Sequence, residues 1–276
     1  MKGLGTRLLT GVVFVVAVVL ATYAHPISFA ILFFMVTALC LWEFYAIVLT
    51  KDAGKVDNSR KILAMITGLL PYTVIATSLL SGQILYKGLA LTLASLVAWT
   101  FLLLVFELFA KAENPFTHFG NILLGAFYIG VPFALLGVIG LYEGFHPFLI
   151  LGMLLLTWVN DSFAYLTGSL FGKTPLIPRI SPKKTREGSL GGILFTLLGG
   201  YLLSLIFSEY TLENWMVISV LIAIFSSLGD LVESMLKRSY TVKDSGGLLP
   251  GHGGFLDRFD GFIFMVPFVF LYLVMQ

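Results

Sequence analysis

Residues 88–110 read GLALTLASLVAWTFLLLVFELFA, an apolar run in which Glu107 is the one ionisable side chain. A helix crossing the roughly 30 Å hydrocarbon core of a bilayer needs about 20 such residues. Eight further runs flank it: Leu8–Tyr23, Pro26–Leu49, Ile62–Leu80, Ile122–Tyr142, Pro147–Phe171, Leu190–Phe207, Trp215–Leu236 and Phe259–Val274. The connections between them are too short for a soluble domain. Composition agrees, with 58% hydrophobic and 12% charged residues, where a soluble domain carries about 25% charged. The mean hydropathy is +0.96. The sequence therefore predicts an all-α polytopic membrane protein, residues 1–276 forming a single integral membrane domain of about nine transmembrane helices. The first run has a second reading as a secretory signal, with basic Lys2 and Arg7 ahead of it and Thr22-Tyr23-Ala24 as a cleavage site.

Charge gives these helices a direction. With the loops assigned alternately to two sides, Lys87 alone among the 17 Lys and Arg falls apart from the others. The positive-inside rule then places the N-terminus in the cytoplasm and the C-terminus outside, in the inner (plasma) membrane. On that topology Glu43, Glu107, Asp161, Asp230, Glu233 and Asp260 all lie in the cytoplasmic halves of their helices. Glu43 and Glu107 read as partly solvated acids near helix ends. Asp230 and Glu233, with Ser234 next, share one helical face, as do Asp257 and Asp260, and Asp161 and Tyr165. Charged groups inside a span are costly and tend to line a site.

Two cytoplasmic connections hold the remaining polar residues. One reads Ser181-Pro182-Lys183-Lys184-Thr185-Arg186-Glu187-Gly188 and is expected to be a loop. The other carries Lys237, Arg238, Lys243 and Asp244, then a glycine-rich stretch from Gly246 to Gly254 broken by Pro250 and His252, and closes on Asp257-Arg258-Phe259-Asp260. Basic side chains with free backbone N–H groups suit several phosphates. Carboxylates arriving from two helices suit Mg²⁺, which takes oxygen ligands and keeps substrate phosphates in its shell. Both together, on one membrane face, describe nucleotide phosphate chemistry.

Other classes lack their marks. Cys40, the single cysteine, rules out an intramolecular disulfide and reads as a small apolar helix residue. His252 has no second His or Cys near it for zinc. The chain shows no Walker loop, no nucleophile elbow and no aromatic-interleaved basic patch for nucleic acid.

The run Ser234 to Asp260 resembles the signature of the phosphatidate cytidylyltransferase (CDP-diacylglycerol synthase) family. Ser234, Lys237, Arg238, Lys243, Asp244, Gly246, Pro250, His252, Gly253, Gly254, Asp257, Arg258 and Asp260 all stand where that signature has them. Asp230 and Glu233, the Ser181–Thr185 segment, and Asp161-Ser162 through Tyr165 and Gly168 are further, looser resemblances. The resemblance implies the reaction CTP plus phosphatidate to CDP-diacylglycerol plus pyrophosphate in phospholipid biosynthesis. It also implies a requirement for Mg²⁺ in one or two ions, a polar cavity opening to the cytoplasm and sideways to lipid, and a homodimer. On this reading Asp230 and Asp257 are the principal metal ligands, with Asp260 as ligand or support. Lys183, Lys184, Lys237, Arg238, Lys243 and Arg258 neutralise phosphates. Ser181, Thr185, Asp161, Asp244, His252, Gly253 and Gly254 complete the substrate-binding candidates, Asp244 and His252 ordering the loop. A CTP-dependent kinase of a polyprenol-type alcohol is the alternative enzyme. An ion-coupled transporter is the alternative outside enzymes, although its acids would lie near the midplane.

Overall fold

The computed structural model describes residues 2–49, 58–110, 114–247 and 253–276, with side chains from residue 11 onward. Lys51, Lys55 and Lys111, three of the 17 basic residues that set the orientation, lie outside the described residues, as do Pro250 and His252. The described chain forms nine helical rods. They are α1 (Lys2–Ala24), α2 (Pro26–Val48), α3 (Asn58–Leu80), α4 (Leu85–Phe109), α5 (Pro115–Leu141), α6 (Pro147–Phe171), α7 (Arg186–Ile206), α8 (Leu212–Ser239) and α9 (Leu256–Val274). Between α6 and α7 stands a two-stranded antiparallel ribbon, β1 (Pro175–Ile177) and β2 (Ser181–Thr185). The helices coincide with the apolar runs read from sequence. By length and composition, 7 of them are able to cross a membrane. α1, whose described apolar part is Gly11–Ala24, and α9, with Asp257, Arg258 and Asp260 in its first turns, stand outside that number.

Residues Met1–His146 and Asp244–Leu256 form one compact unit; Pro147–Lys243 and Asp257–Gln276 form the other. In the first, tyrosine hydroxyls and glycines set the helix crossings. Tyr45 Oη donates to the Ile122 carbonyl at 2.8 Å and Tyr72 Oη to that of Ala30 at 2.9 Å. A Cβ at Gly125 would stand 2.6 Å from Tyr45 Cζ, so glycine there makes room for the ring. α5 contains a π turn at Ala126–Gly130, and Pro132, which lacks an N–H to donate, stands two residues after it. At Gly130 a Cβ would run into the Gly68 carbonyl of α3, the close backbone approach that small residues allow in membrane bundles.

The expectation for Glu107 is corrected here. It is only 5% exposed, and Arg60 of α3 grips it through Nε at 2.8 Å and a second guanidinium nitrogen at 3.1 Å. A planar fork on a carboxylate lets both charges be buried together.

In the second unit, α6 and α7 pack through glycines. A Cβ at Gly188 would come within 2.7 Å of the Ala164 carbonyl, and one at Gly192 within 2.7 Å of Asn160 Oδ1. The Ser181–Thr185 segment, expected as loop, is strand β2, pairing Ile177 with Ser181 and Pro175 with Thr185. Its end is a capped helix start: Thr185 Oγ1 accepts from Gly188 N at 3.1 Å. Glu187 Oε2 accepts from the backbone N–H groups of Lys173 and Thr174, both at 3.1 Å. These bonds begin α7 at Arg186, ahead of the Leu190 start that apolarity alone suggested.

Candidate active site

A cavity of about 330 Å³ opens in the second unit, lined from α6, β2, the start of α7 and α8. Neighbouring residues on α6 divide the labour. Asn160 is buried, donating from Nδ2 to Ser227 Oγ at 3.2 Å and accepting from Thr196 Oγ1 at 3.5 Å. Those bonds fix α6 to α8 and α7. Asp161, a third of a helical turn on, is exposed and lines the cavity. Lys183 and Lys184 line it from β2, and the ammonium of Lys184 pairs with the Asp230 carboxylate of α8. Thr185 lines it too, while its hydroxyl caps α7. Ser181 stands at the other end of β2, paired in the ribbon.

Asp260 is brought to Asp230 by a glycine crossing. A Cβ on Gly229 would come within 2.7 Å of the Asp260 carbonyl and 2.8 Å of Gly261 Cα, and one on Gly261 would stand 3.1 Å from Asp230 Oδ1. The two glycines let α8 and α9 come this close. Asp260 Oδ1 accepts from Gly261 N at 2.8 Å, and the carboxylate lies in the electrostatic field of Asp230, Glu233 and Asp161. Lys184 and Arg258 act in turn on Asp161.

A second ion-pair group sits beside it. Lys237 bridges buried Glu233, four residues back on α8, and Asp257 Oδ1 at 2.6 Å. The acids expected together as metal ligands take distinct partners: Asp230 pairs with Lys184 and acts electrostatically on Asp260, whereas Asp257 shares Lys237 with Glu233. Arg238 is exposed in the last turn of α8, where a cation suits the helix dipole. Lys243 and Arg258 are exposed.

Asp244, Gly253 and Gly254 belong to the first unit. Asp244 is exposed, and Gly253 has φ +82°, a conformation that glycine adopts without strain. Gly254 is buried against Glu43. The expectation of Glu43 as a partly solvated acid is corrected: it is 2% exposed and accepts from Leu256 N at 2.9 Å and Ser245 Oγ at 3.2 Å. Sequence reading missed this partner because it lies 213 residues from Leu256. It also passed over Asn160 and Ser227. The signal for Glu43 was the pair of glycines, Gly246 and Gly254, on which side chains would strike its carboxylate.

The donor set suits a hard divalent cation. Among the described residues Asp161, Asp230, Glu233, Asp257 and Asp260 outnumber the basic groups that act on them, Lys184, Lys237 and Arg258. Neighbouring carboxylates repel unless a cation stands among them. Among the described residues no three His, Cys, Asp or Glu side chains converge on one point, so protein ligands would be few and phosphate oxygens would fill the shell, as Mg²⁺ favours.

The profile of the cytidylyltransferase family matches residues 5–276. A phosphatidate cytidylyltransferase of Bacillus subtilis is 33% identical over 98% of this chain and 97% of its own length. That of Staphylococcus saprophyticus is 41% identical over 67% of this chain and 70% of its own. That of Staphylococcus haemolyticus is 40% identical over 66% and 69%. With a match across nearly its whole length and relatives of this kinship, the chain belongs to the cytidylyltransferase family.

Proposed function

We propose that this chain joins CTP to phosphatidate, giving CDP-diacylglycerol and pyrophosphate, at a site on the cytoplasmic face of the membrane. The observation that carries the reading is the cavity in which Lys183 and Lys184 stand across from Asp161 and Asp230, in a chain whose relatives bear that activity's name. The placement on the cytoplasmic face rests on the basic asymmetry of the sequence. There CTP arrives from water and phosphatidate from the bilayer.

In the reaction, a phosphate oxygen of phosphatidate forms a bond to the α-phosphorus of CTP. The bond between that phosphorus and the α–β bridging oxygen breaks, and pyrophosphate leaves with the electron pair. The attacking oxygen is already anionic at neutral pH, so no base is required. What opposes the step is repulsion between anions and their misorientation, both relieved by fixed charges. Lys183 and Lys184 suit the β- and γ-phosphates, with Ser181 and Thr185 framing their strand. Lys237, Arg238, Lys243 and Arg258 suit the α-phosphate and the lipid phosphate. Asp230 and Asp260, with Asp257 one turn away, would hold Mg²⁺, which when bound supplies positive charge to the phosphate oxygens.

The test offers purified protein CTP labelled with ³²P at the α-phosphate, together with Mg²⁺ and phosphatidate. Label moving into chloroform is the expected result. Label remaining on CDP would instead indicate phosphorylation of a lipid, and label remaining on CTP would sink the reading.

A further inference from the structure

We infer that Glu43 is a positioning residue for this reaction: its carboxylate holds Ser245 and Leu256 and so sets where α9, the helix of Asp257 and Asp260, begins. The inference rests on the function proposed above. Oε2 accepts from Ser245 Oγ at 3.2 Å and from Leu256 N at 2.9 Å. Leu256 is the first residue of α9, so the carboxylate also stands at the positive end of that helix. Two glycines make the approach sterically feasible. A Cβ at Gly246 would stand 2.7 Å from Glu43 Cδ, and one at Gly254 2.8 Å from it. At Gly247, by contrast, a Cβ would meet nothing within 4 Å.

Stability of α2 does not account for the group. α2 is otherwise strongly apolar, and an apolar side chain at this position would avoid the desolvation that a buried carboxylate suffers. Oε1 has no hydrogen-bond partner among the described residues. What the carboxylate does supply is a fixed acceptor for two donors more than 200 residues away along the chain. One of them is the backbone N–H immediately preceding Asp257. A displacement there is passed through one peptide unit to that side chain, and one turn later to Asp260.

The experiment compares the full-length protein with Glu43→Gln in detergent, following hydrogen exchange of the peptide that contains Leu256, the thermal midpoint, and steady-state kinetics with each substrate varied. The expected result is exchange faster by about tenfold and kcat lower by about tenfold, the factor set by losing a charge-assisted hydrogen bond. KM for CTP should stay within about twofold, because Lys183 and Lys184 are untouched. A purely structural carboxylate would lower the thermal midpoint and leave the kcat of the surviving folded enzyme unchanged. That outcome overturns the inference, as does exchange at the wild-type rate.

Should Glu43→Gln not fold, Gly246→Ala carries the same test, since its methyl meets the carboxylate. Adding Glu43→Asp, shorter by one methylene, should then restore part of the lost kcat, and no recovery overturns the inference. Failure of the proposed function reads differently: wild-type protein would leave no label in chloroform, whatever the exchange data showed.

Discussion

Asp230 and Lys184 stand 46 positions apart in the chain and form an ion pair at the cavity wall. Losing the charge of Asp230 should therefore affect chemistry more than folding. Asp230→Asn is expected to slow turnover by at least a hundredfold, about 3 kcal/mol of barrier, while the protein still elutes as a folded species in detergent. Near-normal turnover at saturating Mg²⁺ would move the metal elsewhere. Lys183 is exposed on the same wall and has a narrower task. Lys183→Ala should raise KM for CTP with kcat kept, whereas Arg258→Ala should lower kcat; initial rates with each substrate varied separate the two. At this scale the acids of α8 and α9 were legible, because i, i+3 spacing places side chains on one face of a helix. Glu43 and Glu107 were not. Whether an acid near a helix end is solvated or buried depends on a partner, Leu256 N or Arg60, that spacing along the chain does not reveal.

Helices α8 and α9 meet where neither has a side chain, at Gly229 and Gly261. Gly229→Ala would put a methyl 2.7 Å from the Asp260 carbonyl, and backbone gives way poorly. The expected cost is about 1–3 kcal/mol of stability, seen as a lower thermal midpoint in detergent, with kcat falling too as Asp260 is pushed from Asp230. Gly247→Ala, facing open space, should change neither; equal effects from both substitutions would remove the crossing from the account. The ribbon allows a smaller test. Thr185→Val removes the acceptor for Gly188 N and should cost about 1 kcal/mol, again read from the thermal midpoint. Helix existence was readable from apolar length alone. The ribbon was not, because Ser181–Thr185 carries prolyl and basic residues that read as loop, and its strand character comes from pairing with Pro175–Ile177.

At the scale of the whole molecule, the chain is a multi-pass membrane protein, and its orientation is open to direct measurement. A cysteine introduced at Asn58 should react with a membrane-impermeant thiol reagent only after the cell is opened. One introduced at Gln276 should react in intact cells once any outer barrier is permeabilised. The reverse pattern would place the cavity on the far side and overturn the function with it. Both expectations follow from where Lys and Arg fall between apolar runs, a pattern in one dimension. The same holds for the helical class, since a backbone in lipid must satisfy its own hydrogen bonds within each crossing segment. Sequence by itself therefore determined the class of fold, the positions of the helices and the residue types gathered for phosphate chemistry. Tertiary structure alone decided which of those residues meet: Asp230 with Lys184, Lys237 between Glu233 and Asp257, and Glu43 beneath Gly246 and Gly254. Hydropathy acts within a segment, whereas a pair of charges depends on the angle and closeness of two helices, which distant glycines set.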